Sequence, residues 1–188
     1  MKYDVRKMAG TLLLFGSVQF FLLLVIAEAL YPGYSVSENY ISNLGVGPTS
    51  LIFNSSVFLL GVVAVISAYF VHRAFRFALF SVFLILIGAG AIGVGLFTEN
   101  SGDIHFAASL ITYIFGELAA VVSHKLQPPP LSYFSVLLGV ISFVALVLFT
   151  SGIYLGLGVG GMQRLVAYPV LLWAVSFGSF LISSSDRF

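Results

Sequence analysis

The chain has 188 residues, of which 60% are hydrophobic and 8% charged, with a net charge of +1. A water-soluble fold of this length needs far more charge on its surface, where about 25% of residues is usual, so the composition excludes a soluble protein. The near-neutral balance excludes a basic nucleic-acid-binding face, and the absence of cysteine excludes disulfides, thiolate metal sites and Cys nucleophiles.

Along the chain, six stretches reach the about 20 apolar residues that a spanning helix needs. They lie at 9–30, 51–71, 77–97, 106–123, 131–151 and 165–183. Continuous runs such as "VFLLGVVAVISAYFV" lack the alternation of barrel strands. The expected fold is all-α, a six-transmembrane-helix bundle forming a single membrane domain over residues 1–188. The first apolar run is too long for the h-region of a signal peptide and is read as a retained span.

Charge sorting sets the direction. Lys2, Arg6 and Lys7 precede the first span, Arg73 and Arg76 join the second and third, Lys125 joins the fourth and fifth, and Arg187 ends the chain. With six spans all of these fall on one side, and the positive-inside rule makes that side, with both termini, cytoplasmic.

The opposite side collects the polar chemistry. Glu28 lies near the outer end of the first span. The connection that follows contains "SENYISNLGVGPTS", with Glu38 and Asn43; its length fits either a segment capping the bundle mouth or a plain surface loop. Asn54 then sits in the first turns of the second span.

The next outer connection, "TENSGDIH", supplies Glu99, Asp103 and His105. His105 is a candidate acid or base, and Ser109 and Thr112 follow it on one helix face. Asp103 is alternatively a helix cap. No metal site is expected, because His72 and His124 belong to the other side. Glu117 lies about 18 Å along the fourth span from His105. An intramembrane acid is functional by default, although solvation at the cytoplasmic interface would also accommodate it.

The last outer connection holds the glycine-rich "GLGVGG", expected to be a flexible flap, and then Gln163 and Arg164. Arg164 stands alone against the positive-inside bias. Its planar fork suits a ligand carboxylate or phosphate, or an acid such as Glu99 or Asp103. Pro169 is expected to kink the sixth span or mark its first turn, with Arg164 on a non-helical approach. Glu38, Asn43, Asn54 and Tyr168 join Arg164 as candidate ligand-binding residues; His105, Glu99 and Asp103 are the candidate catalytic ones.

At "YISNLGVGP", "FNSS", "GLFTENSGDIHF" and "GGMQRLVAYP" the chain resembles the six-span family catalogued as domain of unknown function 998, itself distantly like lipid-associated membrane proteins of the Frag1/DRAM/Sfk1 type. The resemblance implies the six-helix architecture and importance for Ser42, Leu44, Gly45, Asn54, His105 and Arg164. It also implies an acid before the Arg and a Pro after "GLF", where this chain has Gln163 and Thr98.

Three functions compete. The first is an outward-facing site for a lipid or other anionic amphiphile, with Arg164 on the headgroup and His105 with Glu99 or Asp103 moving protons in a lipid-modifying reaction. The second is a small transporter or channel using Glu117 and Glu28. The third is a non-catalytic scaffold. No cofactor is implied. The expected partners are membrane lipid and either a second copy or another membrane protein, and not nucleic acid.

Overall fold

The computed structural model of the protein describes residues 4–185. Six helices fill it: α1 (Val5–Leu30), α2 (Ser50–Phe75), α3 (Ala78–Leu96), α4 (Asp103–Val122), α5 (Leu131–Thr150) and α6 (Gly158–Ser185). Each is long and apolar enough to cross a membrane, and no strand occurs among the described residues.

Helix ends differ from the apolar runs for local reasons. α1 starts ahead of its run because the Asp4 carboxylate accepts the backbone N–H groups of Arg6 at 2.8 Å and Lys7 at 3.3 Å. α2 continues to Phe75 and stops where Arg76 turns left-handed, at φ 54°. α6 begins at Gly158, seven residues before position 165, so Arg164 is helical and Pro169 lies inside the helix. The expected non-helical approach to Arg164 is thereby corrected. Proline has no N–H to give the carbonyl four residues back, and the helix passes through it nonetheless.

Each helix packs on the next in chain order, and α6 returns to α1, so the six form a closed ring; α4 also touches α6 across it. Glycines bring several seams close together. A Cβ on Gly61 of α2 would lie 2.6 Å from the Gly88 carbonyl of α3, and one on Gly90 would lie 2.8 Å from the Ala108 carbonyl of α4. The small-residue run "GAGAIGVG" therefore serves two neighbours.

At the end of the ring nearest the termini the interior is filled. Trp173 stacks on Phe177 and Phe80 meets both edge-on, with centroids 5.3–6.3 Å apart, and Trp173 donates its indole N–H to Ser123 Oγ at 2.9 Å. The basic residues decorate this same end. Arg6 lies over the Phe75 ring at 5.1 Å and Lys125 over Phe77 at 5.8 Å. Lys2 and Arg187 lie outside the described residues. The opposite end, here called the loop face, carries the connections at 31–49, 97–102 and 151–157. That end is hollow.

Candidate functional site

The polar stretch after α1 is a cap. Its centre is a short 3-10 turn, Ile41–Gly45, with Ile41, Ser42, Leu44 and Gly45 buried among the helix ends. Backbone that leaves helical geometry near a membrane must find partners, and the neighbouring polar side chains provide them. Asn54 Nδ2 donates to the Gly45 carbonyl at 2.9 Å. The Ile41 N–H donates to Gln163 Oε1 at 2.6 Å, and Asn43 Nδ2 to Glu99 Oε2 at 2.6 Å. The first connection of the loop face is thus tied to the second and to the starts of α2 and α6.

Arg164 makes the strongest of these ties. It is 4% exposed. Its Nε and Nη2 donate to Glu28 Oε1 at 3.1 and 2.5 Å. Nη2 also donates to the Tyr34 hydroxyl at 2.7 Å, and Nη1 to the carbonyls of Val36 at 2.8 Å and Gly160 at 2.9 Å. Five donors are available on a guanidinium, and all five are used. The acid that Arg164 meets is Glu28, not Glu99 or Asp103. Tyr34 passes the tie on by donating to the Tyr40 carbonyl at 2.9 Å. Burial pushes the Tyr34 phenol above its usual range, against the opposing pull of Arg164.

The glycine run serves this clamp rather than forming a flap. Gly158, at φ 73°, opens α6, and the Gly160 N–H donates to the Ser37 carbonyl at 2.8 Å. A side chain at Gly158 or Gly160 would collide with the backbone of Ser37 or Asn39. Small residues are required here because a loop lies directly on the helix.

Two cavities lie beneath the cap. A vestibule of about 310 Å³ sits between α4, α5 and the start of α6, walled by Tyr40, Glu99, Phe106 and Phe149 among others. An inner chamber of about 120 Å³ lies on the ring axis, lined by apolar side chains of α1, α2, α3 and α6 down to Trp173. Ser42, His105, Ser109, Tyr113 and Gln163 line both, forming a polar waist between them.

His105 is buried at the first turn of α4, and its Nδ1 lies 2.7 Å from the Phe97 carbonyl. A carbonyl only accepts, so Nδ1 carries the hydrogen and, in the neutral ring, Nε2 presents a lone pair. Among the described residues Nε2 has no hydrogen-bond partner, and neither do the Ser42 and Ser109 hydroxyls. Gln163 Nε2 donates to the Tyr113 hydroxyl at 3.4 Å.

The sequence-derived candidates therefore separate. His105 and Glu99 share the vestibule wall, and Asn43 holds Glu99 from behind. Arg164 and Glu28 line neither cavity, and Tyr168 packs edge-on against Phe21 at 5.5 Å. Glu38 and Asp103 are exposed. Asp103 does not cap α4; Gly102 occupies that position at φ 56°. Glu117 is 1% exposed and belongs to neither cavity; Ser142 Oγ of α5 lies 3.1 Å from its Oε1, while Oε2 has no partner.

Gln163, Tyr113 and Phe149 are among the wall residues that the sequence does not mark as ligand-binding candidates. Tyr113 was within reach of pattern reading, since it extends the stripe of His105, Ser109 and Thr112 by one position on nearly the same face. Phe149 had no such signal, being one apolar residue among many in α5.

No curated protein and no solved structure matches this chain, and the more distant Frag1/DRAM/Sfk1 likeness finds no support there. The family model described as "Protein of unknown function (DUF998)" matches residues 14–179, most of the chain and all three of its polar connections. The six long apolar helices mark an integral membrane protein, and the extent of the match places the protein in the DUF998 family.

Proposed function

We propose that this multi-pass membrane protein binds a small amphiphile at its loop face, with the apolar part in the inner chamber and the polar part in the vestibule. The basic residues at the opposite end put that end in the cytoplasm by the positive-inside rule, so the site opens outward. One observation carries the reading. The Ser42 and Ser109 hydroxyls and His105 Nε2 have no protein partner, yet they ring the junction between a polar hollow and an apolar one. Polar groups at membrane depth need partners, and a ligand whose polar atom stops at the waist supplies them. The two hollows together fall within the about 300–1,000 Å³ of ordinary ligand sites. An apolar space of about 150 Å³ accommodates a benzene ring, so the chamber suits a short chain end or a branched group.

Arg164 does not enter this reading, because its five donors are already engaged. Neither does a transport path through Glu28 and Glu117, which line neither hollow.

Trp173 is the only tryptophan, is 2% exposed and lines the inner chamber. In maltoside micelles, ω-bromooctanol is expected to quench its fluorescence saturably. Ala167→Leu, which fills the chamber from α6, should abolish the saturable component. Quenching of equal strength and concentration dependence in the filled variant would mean that bromine reaches the indole through the micelle, and the chamber reading would be lost.

A further inference from the structure

We propose that the vestibule selects a cationic headgroup, an alkylammonium, using the Glu99 carboxylate and the rings of Tyr40, Phe106 and Phe149. This rests on the amphiphile reading above and names its ligand class.

Charge is the first support. The described loop face carries the carboxylates of Glu28, Glu38, Glu99 and Asp103 against the guanidinium of Arg164. Glu28 and Arg164 neutralise each other at 2.5 Å. Three carboxylates are left, and no Lys or Arg lines the vestibule. An incoming phosphate or sulfate would meet only like charge.

The geometry of Glu99 is the second. Asn43 Nδ2 holds its Oε2 at 2.6 Å, which fixes the carboxylate against the cap. Its Oε1 takes no hydrogen bond from the described residues, and Glu99 lies half-buried in the vestibule wall. A half-buried carboxylate with one oxygen pinned and the other open calls for a cation.

Aromatic walls are the third. Tyr40 meets Phe149 edge-on at 6.1 Å, and Phe106 stands on the α4 side. A cation within about 6 Å of such a ring is attracted by its quadrupole, and rings grouped around a hollow are how quaternary ammonium ions are recognised. Burial, with Tyr154 and Glu99 nearby, raises the Tyr40 phenol above its usual range, so this ring stays neutral.

The same ammonium chemistry could arrive on a membrane amphiphile or as a free amine. Four probes separate these sources: ω-bromooctyltrimethylammonium, ω-bromooctanol, ω-bromooctyl sulfate and tetramethylammonium. Binding is measured on the full chain in maltoside micelles by Trp173 quenching, and for tetramethylammonium by competition against the bromooctyl cation. The bromooctyl cation is expected to bind about tenfold more tightly than the alcohol, with the sulfate weakest. Glu99→Gln, which can still accept from Asn43, should remove most of that preference and leave the alcohol unchanged. Phe149→Leu should reduce it by a few-fold.

Equal affinity for cation and alcohol, or a Glu99→Gln effect shared by all the bromooctyl probes, would overturn the cation assignment while chamber quenching still upheld the amphiphile site. An inhibition constant for tetramethylammonium as low as the dissociation constant of the bromooctyl cation would keep the ammonium site but overturn the tail-bearing source. Saturable quenching lost with every probe would remove the amphiphile reading itself.

Discussion

Arg164 on α6 and Glu28 on α1 are 136 residues apart, yet two nitrogens of the one contact a single oxygen of the other, at 3.1 and 2.5 Å. The pair closes the ring of helices at the seam between its first and last members. Because the same guanidinium reaches the carbonyls of Val36 and Gly160, it also fastens the cap to that seam. Such a group is a fastening, and its variants should behave accordingly.

Arg164→Ala leaves Glu28 without a partner in a largely buried place, and removing one member of a buried pair costs about 3–5 kcal/mol. Arg164→Lys should rescue little, since an ammonium cannot serve the acid, the phenol and two carbonyls from one plane. Thermal unfolding in detergent should show both variants well below wild type. Glu28→Gln should fall between them and wild type. Wild-type stability in Arg164→Ala would contradict the fastening role.

Tyr34 gives this region a pH dependence. Burial raises its phenol above the ordinary value of 10.0, so the folded chain keeps a proton that the unfolded chain releases first. Stability from this group is complete below pH 10.0 and is lost as pH rises from there through the higher folded value. Tyr34→Phe should be less stable at neutral pH by about 1–3 kcal/mol, for the lost bonds to Arg164 and the Tyr40 carbonyl. Its alkaline decline should be shallower than that of wild type. Denaturation midpoints measured between neutral pH and pH values above 10 test both statements; parallel curves would sink the second.

At the α2–α3 crossing the obstacle to Gly61→Ala is backbone. The new methyl carbon would stand 2.6 Å from the Gly88 carbonyl and 2.7 Å from the Ile92 amide nitrogen. Neither can rotate away, so the helices must separate, and a loss of about 1–3 kcal/mol is expected. Gly61→Ser should be no better tolerated. Unchanged melting temperatures would show that the seam has slack.

Ser142 has one hydroxyl hydrogen and two acceptors in reach, the Val166 carbonyl at 2.5 Å and Glu117 Oε1 at 3.1 Å. Glu117→Gln brings a donor for Ser142 Oγ and frees that hydrogen for Val166. Stability should change by less than about 1 kcal/mol. Glu117→Ala leaves a cavity beside Ser142 in a fully packed place, and about 2–4 kcal/mol should be lost. A Gln variant as damaged as the Ala variant would mean that the ionised carboxylate is itself required.

Much of the architecture was readable because membrane physics leaves a small vocabulary. Twenty apolar residues make a span, and the placement of Lys and Arg fixed which connections lie together, as the neighbouring positions of Arg6, Phe75, Lys125 and Phe77 show. The start of α6 was not readable. "GLGVGG" has poor helix propensity, and its helical state depends on Ser37 and Asn39, more than a hundred residues earlier, lying against it. Site membership divided in the same way. His105, Ser109 and Thr112 follow from helical spacing, whereas the partner of Arg164 does not. Loop proximity suggested Glu99 or Asp103, whereas the packing of α6 directly on α1 sets Arg164 against Glu28, two residues before α1 ends.

The Arg164–Glu28 contact also has a bearing on biogenesis. During synthesis Glu28 emerges early, and its counter-ion is made only after five helices are complete. Until then a carboxylate waits near the edge of the bilayer with its neighbours in place and its balancing charge missing. A nascent chain halted before α6 is therefore both an open arc and an uncompensated acid, so the helix that closes the ring is also the one that neutralises the first.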